Sequence, residues 1–228
     1  MKILILSQVY PPEYAPAGVM VDELCDDLRA RGEDVQVVTG FPHHPHGRVY
    51  PGYKKSLWFK DPDWDGEVLR TWHLTSERRD VPTRTLVLMT QALGNLVGAL
   101  TVSRPDIVIV YGPPLLGPSC AALISRFHRA KFVNVIFDIY PDIAIETGNI
   151  THPAIIAGAR LAERLQHVAA HRTVVLSEGF RRTLLEKGVP DSRLEVIPLW
   201  LDPDEIRPMD RDNAWRREQG IPEDKFVV

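Results

Sequence analysis

The sequence predicts the α/β class, with a doubly wound parallel sheet, and three observations carry that prediction. The first is the opening unit. The apolar run Lys2-Ile3-Leu4-Ile5-Leu6 passes through a Pro11-Pro12 loop into an amphipathic stretch near 17–31, then into a second strand at 34–39. That is a strand–loop–helix–strand module. The second is the character of later apolar runs. Ile107-Val108-Ile109-Val110 and Thr173-Val174-Val175-Leu176 do not alternate with polar residues, as suits strands buried on both faces. The third is the regular alternation of such runs with helical periodicity, the pattern of a Rossmann-like sheet.

Taken in order, strands are predicted at 2–6, 34–39, 67–73, 106–111, 131–137, 172–176 and 194–197. Helices fall near 17–31, 83–103, 115–129, 153–170 and 178–187. Gly32 and Gly188 stand where the first and last of these helices should stop, because a glycine readily takes the left-handed conformation that ends a helix. Residues 40–66 break the pattern. They are rich in proline, glycine and aromatics, including Phe41, Tyr50, Tyr53, Trp58, Phe59 and Trp64. They read as a functional loop, since connectors in compact domains are usually far shorter. Asp210 reads as the cap of a short helix running to Gly220. Lys225-Phe226-Val227-Val228 then reads as the start of another strand. The expected organisation is therefore a domain over 1–209, with 210–228 as linker and the first part of a further domain in a longer protein.

Composition narrows the function classes. The chain has 228 residues, 44% hydrophobic and 25% charged, as in ordinary globular proteins. A formal net charge of -3 argues against nucleic acid as the main partner. Cys25 and Cys120, far apart in predicted helices, read as small buried hydrophobes in a reducing compartment. The N-terminus shows no apolar segment with a cleavage site, so a cytoplasmic location is expected. From Thr85 to Ser103 there is no charged residue. A spanning helix needs about 20 apolar residues, and Thr90, Gln91, Gly94, Asn95 and Thr101 interrupt this one. It reads as a helix under the sheet, or as one with a face against a membrane surface.

Several segments carry a family resemblance in their order and spacing. They are Ile5-Leu6-Ser7-Gln8-Val9-Tyr10-Pro11-Pro12-Glu13, Gly40-Phe41-Pro42-His43-His44-Pro45 and Gly47-Arg48-Val49-Tyr50-Pro51-Gly52-Tyr53, followed by Asp138-Ile139-Tyr140-Pro141-Asp142, Ser177-Glu178-Gly179-Phe180 and Val196-Ile197-Pro198. Across essentially the whole chain these resemble the N-terminal, acceptor-side domain of family-4 glycosyltransferases of the GT-B fold. The nearest subgroup is the one that builds bacterial surface polysaccharides, of colanic-acid and fucosamine type. The resemblance implies a second, donor-binding domain beyond this chain and retention of anomeric configuration. It implies a nucleotide diphosphate sugar as co-substrate, with no other cofactor and no bound metal. The implied acceptor is a polyprenyl-diphosphate-linked saccharide, met by peripheral contact with the inner face of the cell membrane. This part of the protein is expected to be inactive by itself.

The candidate site residues follow from position and resemblance together. Asp138 stands at the carboxyl end of a strand, where such sheets place ligands. It is the catalytic candidate, as base or orienter of an acceptor hydroxyl; capping the next helix is the competing role. Pro12, Glu13, Ala17 and Gly18 lie in the first loop. There Gly18 is expected to open a helix whose free N–H groups suit a phosphate; a plain strand-to-helix turn is the alternative. His43 and His44 are expected on the acceptor side of the cleft. Prolines are expected to hold that stretch extended, which with the lack of cysteines argues against a metal at His43, His44 and His46. Asp142 stands where relatives usually carry Glu. Glu178 opens a helix, where an acid is favourable on dipole grounds alone. Leu199 replaces an expected Asn beside Trp200 and Asp202. Arg160, Arg164, His167 and Arg172 around the 153–170 helix read as a solvated face or as a membrane-docking surface, with Arg78, Arg79 and Arg84 pointing the same way. Two other functions stay open on the sequence: a nucleotide-sugar 2-epimerase of the same architecture, and a non-catalytic or split acceptor-binding domain.

Overall fold

The computed structural model describes residues 1–53, 56–62, 67–78, 80–112, 115–200, 203 and 207–227. Trp64, Arg79, Asp202 and Val228, singled out above, lie outside these, as does the Trp58 side chain. The chain divides into two compact units, Met1–Pro198 and Leu199–Val228.

The first unit is an α/β layered domain. Its strands are β1 (Lys2–Ser7), β2 (Asp34–Gly40), β3 (Trp58–Lys60), β4 (Val68–Thr71), β5 (Ile107–Tyr111), β6 (Lys131–Ile136), β7 (Arg172–Val175) and β8 (Leu194–Val196). They form one sheet in the order β3-β4-β2-β1-β5-β6-β7-β8. Every neighbouring pair is parallel except β3 with β4. The helices of this unit are α1 (Pro16–Ala30), α2 (Val81–Ala99), α3 (Leu116–His128), α4 (Asp142–Glu146), α5 (Pro153–Ala169) and α6 (Glu178–Glu186).

The two faces of the sheet follow the period of two along each strand. Ile3, Ile5, Val35 and Val37 point to one face, where α1 packs through Val21 and Cys25. Leu4, Leu6, Val38, Val108, Val110 and Phe132 point to the other, against Ala99 of α2 and Ala121 and Ile124 of α3. Helix α3 lies between α2 and α5. Burial of each large core side chain contributes about 1.5–3 kcal/mol. The Cys25 thiol, on the sheet-facing side of α1, is fully buried, and burial pushes its pKa up to about 12.

Helix α2 explains the polar residues that interrupt the uncharged stretch. Gln91 Nε2 donates to the Gln8 carbonyl at 2.5 Å, and Asn95 Nδ2 to the Ser7 carbonyl at 3.2 Å. Thr71 Oγ1 donates to Asn95 Oδ1 at 2.8 Å. These bonds tie the helix to the carboxyl ends of β1 and β4. The approach is close: a Cβ on Gly94 would lie 2.3 Å from the Trp72 carbonyl oxygen, and one on Gly98 2.5 Å from Thr71 Cγ2. Glycine is needed at both for contact, not for flexibility.

Four elements differ from the sequence expectation, the first being helix α4, which was not among the predicted helices. The 40–66 segment is not all loop, because Trp58–Lys60 forms the antiparallel edge strand. In the second unit the short helix α7 (Ala214–Glu218) is capped by Asn213, whose side chain accepts from the Arg216 N–H, and not by Asp210. Lys225, Phe226 and Val227 are not in a strand.

Candidate functional site

In an open parallel sheet the ligand crevice forms at the carboxyl edge where successive connections leave in opposite directions. Here β1 connects leftward to β2 through α1, while β5 connects rightward to β6 through α3. The crevice therefore lies outside the ends of β1 and β5, between the β1–α1 loop and the segment that follows β6.

The β1–α1 side is a tightly bonded wall. Arg70 on β4 is fully buried. Its Nε donates to Asp61 Oδ2 at 2.6 Å, Nη1 to the Gly40 carbonyl at 3.4 Å and Nη2 to the Pro11 carbonyl. The Tyr53 ring lies under the guanidinium, 5.1 Å from centroid to Cζ. One side chain thus clamps the first loop, the end of β2 and the aromatic segment after it. Glu13 is buried as well. Its Oε1 accepts the backbone N–H groups of His43 and His44, each at 2.7 Å, and lies 3.4 Å from His43 Nδ1. His43 Nδ1 also lies 3.2 Å from Nε2 of the buried His73, at a ring separation of 4.7 Å.

The β6 side is different. A cavity of about 210 Å³ opens between the ends of β1, β5 and β6 and the inner face of α5, with Gln8, Tyr111, Asn134, Asp138, Gln166 and His167 among its lining residues. Asn134 interrupts an apolar strand on the same side as Phe132. Its Oδ1 is buried and meets no hydrogen-bond partner among the described residues. The same holds for Oγ1 of Thr173, its partner in the β6–β7 register, and for both ring nitrogens of His167. Glu163 Oε1 lies 3.8 Å from His167 Nε2. Buried polar atoms in native proteins are nearly always satisfied, so Asn134 and His167, which both line this cavity, mark it as a place for a polar ligand. Gln166 is occupied, donating to the Leu115 carbonyl at 2.5 Å and to Ser119 Oγ at 2.8 Å.

Asp138 sits on the rim of this cavity, two residues past β6, with its side chain exposed. It does not cap the next helix. Helix α4 starts at Asp142 with Pro141 at the cap position, and its first bonds run to the carbonyls of Ile139 and Pro141. The capping alternative is thereby removed.

The remaining candidates divide between the two walls and the exterior. Helix α1 starts at Pro16, so Gly18 is its third residue and does not open it. Pro16 has no N–H, and those of Gly18 and Val19 are both donated to the Ala15 carbonyl. Ala17, which lines the cavity, keeps the first-turn N–H that takes no backbone acceptor. Nor does the Gly18 position demand glycine, because an added Cβ would make ordinary 3.5 Å contacts. Pro12 is exposed in the same loop. The 43–47 stretch is a turn and not extended, closed by the Gly47 N–H on the His43 carbonyl at 2.7 Å. It leaves His43 mostly covered and His44 and His46 exposed. Asp142 points to Lys187, 2.7 Å from Nζ, and Lys187 also meets Glu163 at 2.5 Å. Glu178 is exposed in the first turn of α6, 3.3 Å from Arg181, behind the Ser177 cap. His167 is buried and Arg172 lies in β7, so neither belongs to a solvated helix face. Asn134, Thr173, Arg70 and His73 were not singled out from sequence. A polar residue inside a doubly buried strand was the available signal for Asn134.

Comparison with known proteins bears on the family and the fold. Residues 17–200 match the family described as the glycosyl transferase 4-like domain. The chain is 25% identical over 236 aligned positions to WcaI of Escherichia coli (strain K12), a protein named for glycosyl transfer in colanic acid biosynthesis. That alignment covers 100% of this chain and 58% of the relative. Among solved structures the chain is similar to Anabaena Alr3699/HepE, in crystals with UDP and glucose and with UDP-glucose. The TM-score is 0.54 at 14% identity, over 96% of this chain and 50% of that one. This shows the shared fold, the Rossmann-like domain of GT-B enzymes. The chain thus spans a little over half the length of the curated relative that it matches.

Proposed function

Since this chain belongs to the glycosyl transferase 4-like domain family, we propose that it forms the acceptor-side part of a retaining glycosyltransferase of cell-surface polysaccharide synthesis. The donor is a nucleotide diphosphate sugar, held mainly by a second domain. The acceptor is a lipid-linked saccharide, met at the inner face of the cell membrane. The observation that supports this most is the exposed Asp138 carboxylate on the rim of a cavity walled by unpaired polar groups.

In this reading the acceptor sugar enters the cavity, and its hydroxyls pair with Asn134 Oδ1 and His167. Asp138 accepts a hydrogen bond from the reacting hydroxyl and orients its oxygen toward the anomeric carbon of the donor. The new carbon–oxygen bond forms as the bond to the diphosphate breaks, and the hydroxyl proton passes to the departing phosphate oxygen. Asp138 orients and forms no covalent intermediate. Orientation of this kind is worth about 100-fold in rate. No metal is needed, because N–H groups and basic side chains offset the leaving charge.

Transfer of radiolabelled sugar to an extracted lipid acceptor tests this. Asp138→Asn in the protein with its donor-binding half should lower kcat about 100-fold with donor binding unchanged. The chain of 228 residues alone should turn over little. Full transfer by the Asp138→Asn variant would exclude the role given to Asp138. Conversion of the donor without any acceptor would instead favour an epimerase.

A further inference from the structure

Beside the ligand cavity lies a second hollow, of about 360 Å³, bordered by Asp142, Arg160, Glu163, Arg164, His167 and Lys187. Glu163 and His167 line both. Lys187 stands at the C-terminal cap of α6 and is mostly covered. Its Nζ lies 2.7 Å from Asp142 Oδ2 and donates to Glu163 Oε1 at 2.5 Å. Three segments therefore meet at one ammonium: the end of α6, the start of α4 and the middle of α5.

The same Glu163 oxygen lies 3.8 Å from Nε2 of His167, one turn further along α5. That is too long for a hydrogen bond, and both buried ring nitrogens of His167 lack a partner among the described residues. A covered carboxylate is satisfied far better by a charge-assisted bond at 2.5 Å than by a ring at 3.8 Å. We infer that Lys187 is a positioning residue for the cavity: by holding Glu163 it keeps that carboxylate off His167 and so leaves the imidazole unpaired. Asp142 holds the ammonium from the other side, so Lys187 stays where it is. Without Lys187, the carboxylate of Glu163 would lose its closest cation. Turning toward Nε2 would relieve it by drawing a proton onto the ring. The imidazolium would then face Glu163 instead of the cavity.

The other charged or titratable groups around the ring are Asp138, Tyr111 and Tyr140 on the cavity side, and Asp142, Arg160 and Arg164 on the hollow side. The two arginines oppose a proton on His167, and the two aspartates favour one. Arg160, three residues before Glu163 on the same helix, is the rival cation for a released carboxylate. The contact of His167 with an acceptor hydroxyl rests on the transfer reading above. The hold of Lys187 on Glu163 does not.

Ring-nitrogen NMR shifts of His167 in the chain test the inference, with its signal identified by loss in His167→Asn. At one fixed pH near 7, Lys187→Met should raise the imidazolium fraction of His167 several-fold. Lys187→Arg should stay near the parent, and Lys187→Met with Glu163→Gln should return to it, because an amide draws no proton onto the ring. If Lys187→Met does not fold, Lys187→Gln carries the same test, with a smaller rise. In the protein with its donor-binding half, Lys187→Met should raise the KM for acceptor about tenfold with kcat nearly unchanged, and the double variant should recover it. A lysine that merely held the fold together would not be rescued by removing a second charge. A His167 signal that neither Lys187→Met nor Lys187→Gln moves overturns the proposal, since Glu163 would then have turned to Arg160 or to solvent. So does a shift that Glu163→Gln fails to reverse. A signal that moves as expected while the KM stays put supports the hold on Glu163 and removes His167 from acceptor binding, which is a failure of the transfer reading alone.

Discussion

The two walls of the crevice are built from similar residues and treat them in opposite ways. On the β1–α1 side, Arg70, Asp61, Glu13 and His43 are all drawn into bonds with one another or with the backbone. On the β6 side, Asn134, Thr173 and His167 are equally buried and leave polar atoms without a partner, and Asp138 stands free in solvent. A saturated set of buried polar groups holds a loop in place. An unsaturated set is available to something that arrives. In the proposed reading the first wall is scaffold and the second meets substrate, although the sequence motifs are denser on the first.

Substitutions can break or sharpen this contrast. The largest effect is expected at Arg70. Arg70→Met takes the guanidinium away from the buried Asp61 carboxylate, which should cost about 3–5 kcal/mol of unfolding free energy in urea titration. A loss below about 1 kcal/mol would show that the clamp is not structural. Next is Asp138→Asn, expected to cost transfer about 100-fold, or about 2.7 kcal/mol of barrier, with the urea midpoint unmoved. Glu13→Ala strands the N–H groups of His43 and His44 and should cost about 2 kcal/mol, read in the same titration. A smaller change is expected at Asn134. Asn134→Val removes an oxygen with no partner, so stability should shift by less than about 1 kcal/mol, while the KM for acceptor rises and kcat stays near its starting value. A stability loss as large as that of Glu13→Ala would move Asn134 from the substrate side to the scaffold. The smallest effect concerns Cys25. Its thiol pKa, pushed up by burial to about 12, leaves almost no thiolate at pH 8. Cys25 should therefore resist a disulfide reagent in the folded protein and react once urea unfolds it.

Much of the fold was legible because it depends on local pattern. Seven of the eight strands lie where the sequence predicts them. The one missed, Trp58–Lys60, is three residues long and owes its existence to pairing with β4. The site was less legible. Asp138 stood out because it stands at the carboxyl end of a strand, where such sheets place ligands, and within a segment that carries the family resemblance. The start of α1 was misread by two residues because Pro16, and not Gly18, takes the first helical position. The histidine stretch was misread as extended because the turn there is closed by Gly47 and by Glu13 from a different loop.

By itself, then, the sequence determined the α/β class, the parallel sheet and the position of Asp138 at its carboxyl edge. Those follow from side-chain period and from where polar residues interrupt it. Only the tertiary structure decided which polar groups are spent and which are free. Arg70 reaches the Pro11 carbonyl, and Glu13 the His43 and His44 amides, because β4, β2 and β1 lie adjacent in the sheet. Partnership between groups so far apart along the chain is set by strand order. Nothing in the local sequence of either partner records it.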